Sequence, residues 1–360
     1  MKRIASVFFS ICLLFFVVLL NCSCGGSKSA NSGGDVYILN FGDYMAEEAL
    51  QIFESETGIR VHQDVFEANE EVLPVIEGGA KYDVICISDY MIEKMREKGL
   101  LETLNKSKIP NFVNINKKQL EYLSVCDPGN DCAVPYFCGG MGIMYNKTLL
   151  DKMGIAYPTK WADLWNEKFN KELIMQSSIR DLYTVGLMKN GFSPNSTNKF
   201  EIEKATEDFI KQKPYVQAYL CDQIKDKLLL GEAAIAPITS GDVQYVFLEG
   251  GQDKYDYGFI IPEEGTCLFI DAWCVLKNAD NKENAYKFID YMCREDIARI
   301  NAEYVGYETV NDKAPDEEFL YMRKIPGVYN DYSHDNNVLE RDVGDAMRFY
   351  TDGYNRLKAG

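Results

Sequence analysis

The chain has 360 residues, with 38 Lys and Arg against 55 Asp and Glu, for a formal charge of −17. A surplus of that sign excludes nucleic acid as a partner and either steers cationic ligands or serves solubility alone. Two histidines leave little room for His-based acid–base catalysis or a zinc site, and the length suffices for two lobes with separate cores.

At the N-terminus, Lys2 and Arg3 precede an apolar run over 4–20 that ends at Asn21-Cys22-Ser23-Cys24-Gly25-Gly26. A charged start, a short apolar segment and small residues after it predict a secretory signal and not a membrane span. The cysteine at the cleavage point resembles the lipobox of bacterial lipoproteins. Cys22 has Leu19 at the third position before it but Asn21 next to it, whereas Cys24 has Ser23 next to it but Asn21 at the third position. Either cysteine is a candidate for acylation. Residues 1–24 are thus the expected signal and processing region, and 25–34 a Gly/Ser-rich tether. The mature protein is expected to be exported, on the periplasmic face of a membrane and lipid-anchored.

A strand is predicted over 36–41. A helix follows over 46–57, where Ala46, Ala49, Leu50 and Phe53 recur at helical spacing and Gly58 ends the run. Between them lies Asn40-Phe41-Gly42-Asp43-Tyr44, a carboxylate between two aromatics where a strand ends, the usual ligand position in an open α/β sheet. Ring faces beside a carboxylate suit an organic cation; the plainer reading is a loop packing its rings into a core. Further strands are predicted over 59–66 and 82–88. Helices are predicted over 91–98, 161–166, 201–211 and 282–302. Strands alternating with helices imply an α/β fold whose sheet is mainly parallel and covered on both faces.

Beyond the leader and processing region, eight cysteines remain, with no CxxC pair and no His-rich partner set, so no metal site is expected. Cys126 and Cys132 flank the turn Asp127-Pro128-Gly129-Asn130-Asp131, which could bring them within disulfide reach. Cys86, inside an apolar strand, reads as a small buried residue.

From residue 36 to 359 the chain resembles the spermidine/putrescine-binding proteins of bacterial ABC importers. The resemblance rests on ordered segments: 40–44, 53–61 (FESETGIRV), 82–90 (YDVICISDY), 93–100 (EKMREKGL), 105–112 (NKSKIPNF), 161–165 (WADLW), 269–271 (FID), 306–311 (GYETVN) and 342–344 (DVG). It implies a two-lobed periplasmic binding protein of type II, with the ligand in a cleft between lobes that close about a hinge. The first lobe would be 35–139 plus 271–314, and the second 140–270 plus 315–360. It also implies a monomer without a cofactor, and an ABC transporter permease as partner.

By the same resemblance, Phe41, Tyr44, Tyr90, Phe269 and Tyr307 would form an aromatic wall around a methylene chain. Asp43, Asp181 and Asp271 would meet ammonium groups, with Gly42 and Ser88 beside them. Departures bear on the ligand. Ser178 stands where the spermidine-type pattern has an acid, Thr239 where a tryptophan is expected, and Glu340 where an amide-type residue is usual. Asp43, Phe269 and Asp242 lie closer to the putrescine-type pattern. The expected ligand is putrescine or spermidine, with the diamine first. A different small solute remains an alternative, as does a sensor of polyamines in place of a transport component. An enzyme is disfavoured: no local motif supports paired-carboxylate glycosidase chemistry, and Gly78-Gly79 and Gly139-Gly140 are too short for a phosphate loop.

Overall fold

The computed structural model describes residues 33–249, 254–314 and 336–359. The predicted leader, Cys22, Cys24 and most of the tether lie outside the described residues. Strand β1 (Asp35–Phe41) buries Val36, Ile38 and Leu39, and helix α1 (Glu47–Thr57) buries Ala49 and Phe53 in the same core. Gly58 ends the helix in the left-handed region at φ 69, where its N–H meets the Glu54 carbonyl at 2.9 Å. Strand β2 (Arg60–Phe66) and the wholly buried β3 (Val84–Ser88) both pair parallel with β1. Helix α2 (Asp89–Glu97) starts two residues earlier than the apolar spacing predicts, with Ser88 at its N-cap and the Asp89 carboxylate accepting the Tyr90 N–H at 2.8 Å.

Strand β4 (Ala133–Asn146) is buried along its whole length. After it come β5 (Leu173–Gln176), α3 (Ile179–Lys189), α4 (Lys199–Gln212) and β6 (Val216–Leu220). The chain continues through α5 (Gln223–Leu229), β7 (Ile235–Thr239), α6 (Ser240–Leu248), β8 (Tyr257–Ile260) and β9 (Cys267–Val275). Helices α7 (Lys282–Met292) and α8 (Glu295–Val305), short strands β10 (Glu308–Thr309) and β11 (Val338–Leu339), and α9 (Met347–Ala359) follow, and shorter helices span Val72–Glu77, Lys117–Leu123 and Lys147–Met153.

One sheet runs in the order β2-β1-β3-β9-β4-β7-β5-β6, with β8 and β10 on β4 and β11 on β9. It is parallel in its two outer thirds and antiparallel where β9 joins β3 and β4, and where β4 joins β7. The mainly parallel expectation is therefore corrected to a mixed sheet. Strand β4 carries the chain from one lobe to the other, pairing with β9 through its first half and with β7 and β8 through its second. Two large cores result. One draws on residues 36–138 and 268–310 and the other on residues 141–357, with a smaller cluster around α5, α6 and β8.

Three local expectations are revised. The helix over 282–302 is two helices, broken at Cys293 and Arg294; the Cys293 carbonyl is taken by the side chains of Asn114 (3.1 Å) and Asn311 (2.9 Å). The apolar spacing crosses the break because both helices bury onto one core. Residues 161–164 form a 3-10 turn. Cys126 and Cys132 are separate thiols: one Asp127 oxygen closes their turn by accepting the N–H groups of Cys132 (2.9 Å) and Ala133 (3.0 Å).

The buried Asp83 ties three elements together, accepting the Tyr37 N–H at 2.9 Å and the backbone and side-chain N–H of Asn281 at 2.7 and 3.0 Å. Asp83→Ala orphans two backbone donors, so urea denaturation should show a loss of about 2–4 kcal/mol. An unchanged midpoint would contradict this anchoring role.

Candidate functional site

A cavity of about 150 Å³ opens between the lobes, beside the ends of β1, β3, β5 and β7. Three helices begin at those strand ends, α2, α3 and α6, and each carries an aspartate in its first turn: Asp89, Asp181 and Asp242. Helix N-termini favour negative charge. Here carboxylates of the chain itself take that position: Asp181 and Asp242 line the cavity and present acids to it, whereas Asp89 is buried and does not line it.

Asp271 stands at the centre. It lies on β9 opposite Ser88 of β3, and one of its oxygens accepts the Ser88 hydroxyl and the other the Tyr44 hydroxyl, both at 2.5 Å. Asn69 fixes Ser88 in turn, donating to its hydroxyl at 2.8 Å and accepting its N–H at 3.1 Å. Burial pushes the Asp271 carboxyl up to about 6 against the pull of those hydroxyls.

The rings meet edge to face. Tyr307 lies 5.5 Å from Tyr44 and 5.7 Å from Phe269, and Phe41 lies 5.3 Å from Tyr44. Tyr307 rests on Gly241, where a Cβ would come within 2.3 Å of the ring. Thr239 donates to Asp242 at 2.8 Å, so the 2.6 Å bond between Thr239 and Tyr307 has the phenol as donor. Thr239, standing where a tryptophan is expected, carries this hydroxyl chain instead.

The two ends differ. At one, the exposed Asp43 follows β1 with φ 49 and lines the cavity with Asp222 and Asp242, and the Lys225 ammonium lies 3.7 Å from Asp43 and 3.9 Å from Asp242. Burial, with Asp242 adding to it, pushes the Asp222 carboxyl up to about 6. At the other end Ser178 caps α3, its hydroxyl accepting the Asp181 N–H at 3.4 Å, and burial raises the Asp181 carboxyl. Glu340 lies 3.5 Å from the buried Arg180 guanidinium, which covers the Tyr90 ring at 5.1 Å and donates to the Arg341 carbonyl and the Asn195 side chain, each at 3.0 Å. The charge that Glu340 brings to a position where an amide-type residue is usual therefore has Arg180 as its counter-ion. Burial nonetheless holds its carboxyl up at about 7.

Every residue expected from the sequence to lie in the cleft lines this one cavity. Glu67, Asn69, Gln176, Cys221, Asp222 and Lys225 line it as well and escaped the sequence reading. Cys221 and Asp222 directly follow β6, just as Gly42 and Asp43 follow β1, so the strand-end rule would have found them had that short strand been recognised. No cluster able to hold a metal ion occurs among the described residues.

Residues 48–324 match the family model described as bacterial extracellular solute-binding protein. The spermidine/putrescine-binding periplasmic protein of Salmonella typhimurium is 33% identical over 343 residues, covering 92% of this chain and 93% of that one. A putrescine-binding periplasmic protein of Pseudomonas aeruginosa is 30% identical over 320 residues, covering 85% and 86%. Among solved structures, the spermidine/putrescine ABC transporter substrate-binding protein of Streptococcus pneumoniae superposes with a TM-score of 0.71 at 31% identity, covering 91% of this chain and 99% of that one.

Arg180→Leu leaves Glu340 buried without its counter-ion. Destabilisation of about 3–5 kcal/mol is expected at pH 8. At pH 5 it should be smaller, because Glu340, with a raised pKa of about 7, then takes up a proton. Equal losses at both pH values, read by urea denaturation, would contradict the pairing.

Proposed function

The chain belongs to the bacterial extracellular solute-binding protein family, and from that premise we propose that it binds a linear polyamine, putrescine ahead of spermidine, and delivers it to an ABC permease. The observation that carries this reading is the charge of the cavity wall, where seven carboxylates stand against a single lysine. A polyamine alternates positive charge with apolar carbon, and the wall sets acids at both ends of a group of rings that surrounds Asp271. Each ammonium–carboxylate hydrogen bond contributes about 1.5–3 kcal/mol, more than a ring contact at roughly 0.5–2. Asp43, Asp181, Asp242 and Asp271 would therefore set affinity, while Phe41, Tyr44, Phe269 and Tyr307 would set shape.

The relatives named above are periplasmic by name, which supports export of this chain. We extend the proposal to a lipid anchor at Cys22 or Cys24, to action by binding and release without turnover, and to a monomer. The lobes would be 35–139 with 271–314, and 140–270 with 315–360. Closure of these two lobes would present the loaded form to the permease.

Calorimetric titration of the leaderless protein, stripped of ligand, should show tight putrescine binding and weaker spermidine binding. Binding of neither would overturn the polyamine reading. Asp271→Asn should weaken binding at least about tenfold, the loss of one charge-assisted hydrogen bond; unchanged affinity would remove Asp271 from the site.

A pH dependence follows from the same acids. The empty folded protein holds the Asp222 and Asp271 protons up to about pH 6, whereas an unfolded chain releases them near about 4. These groups thus lower stability as pH rises through that window, and a bound cation removes the penalty. The rise in Tm on adding putrescine should be larger at pH 7.5 than at pH 5. A constant rise would count against charged carboxylates as the ligand contacts.

A further inference from the structure

The two ends of the cavity are not equivalent in their built-in cations. Arg180 is buried against the Tyr90 ring, with its Nη1 and Nη2 donating to protein oxygens, and does not line the cavity. Lys225 does line it. Its side chain, 13% exposed, stands on the first turn of α5, and its ammonium lies 5.2 Å above the Tyr245 ring. The ammonium falls between Asp43, which follows β1, and Asp242 on α6, while Asp222 borders the same end, its Oδ2 3.4 Å from where a Cβ on Gly42 would lie.

Three carboxylates gathered at one end would, left alone, be the strongest draw in the cavity for positive charge. The distances of 3.7 and 3.9 Å are too long for direct hydrogen bonds. Lys225 therefore sits in the field of both acids without filling their acceptor sites, which leaves room for one ligand ammonium. A further cation of the ligand at this end would meet a like charge. Burial works against the charge on Lys225, but the carboxylates of Asp242, Asp222 and Asp43 outweigh it and hold its pKa above the usual lysine value, so the repulsion persists across the neutral range.

On the footing of the polyamine reading, we infer that Lys225 determines specificity: its ammonium takes the place that the additional cation of a longer polyamine needs, and so restricts this end of the cleft to a short diamine. The selection is by an introduced repulsion and not by a better fit to the favoured ligand.

The test is calorimetric titration of the wild-type protein, Lys225→Met and Lys225→Arg with putrescine and with spermidine. Methionine keeps an unbranched stem and removes the charge; arginine keeps the charge. In Lys225→Met, spermidine affinity should rise about tenfold relative to putrescine, while Lys225→Arg should keep the wild-type ratio. An unchanged ratio in Lys225→Met overturns the assignment, as does the same shift in both variants, which would mark a steric role. Wild-type protein that binds spermidine more tightly than putrescine overturns it too. Failure of the wild-type protein to bind either ligand overturns the polyamine reading itself and this inference with it, whereas tight putrescine binding with an unchanged ratio overturns the Lys225 assignment alone.

Discussion

Ionised carboxylates buried without matching positive charge are the constraint on which the rest of this molecule depends. Taking such a group out of water is costly unless hydrogen bonds or counter-charge replace the solvent. The structure meets the cost piecemeal. Asp271 receives two hydroxyl donors, Asp181 and Asp242 sit on helix N-termini, Glu340 has Arg180, and Asp242 shares Lys225 with the exposed Asp43. The remaining deficit shows in the raised pKa values of Asp222, Asp271 and Glu340. On the proposed function, a cationic ligand would supply the missing charge and so couple binding to the stability of the cleft.

The fold serves that constraint through its two central strands. Strand β9 places Asp271 against Ser88 and Phe269 against Gly139, while β4 runs on into the second lobe to pair with β7, which ends at Thr239. Contacts between the halves are themselves parts of the site. Tyr307 bonds Thr239 across the gap and lies on Gly241, and Lys225 reaches from α5 toward Asp43. Farther out, Arg341 and Lys94 form ion pairs with Glu93 and Asp342, joining α2 to the segment that precedes α9. Near the cavity, then, the side chains that join the two halves are also part of its lining.

Much of this was legible in the sequence for a physical reason. Residues at the end of a predicted strand, such as Phe41 to Tyr44, carry their position in the local pattern, and the resemblance to polyamine-binding proteins extended the same logic to Ser88, Thr239 and Asp271. What escaped was set by distant partners. The pairing of Arg180 with Glu340 joins positions far apart in the chain. Lys225 is on a helix of only seven residues, too short for its apolar period to stand out. The break at Cys293 was hidden because α7 and α8 bury the same kind of stripe onto one core, and the antiparallel centre of the sheet because strand order is a property of the whole chain. The turn at Asp127 offered two ways to close, a disulfide or a carboxylate on two N–H groups, and residue types alone do not choose between them.

The most direct measurement is the number of protons exchanged on ligand binding, obtained by titrating putrescine calorimetrically at pH 6 in buffers of different ionisation heat. Asp222 and Asp271 are about half protonated there in the empty protein, so a cation drawn to their carboxylates must expel protons. Net proton release is the predicted result. Binding with no proton exchange, or with uptake, would contradict the claim that the ligand supplies the charge these carboxylates lack.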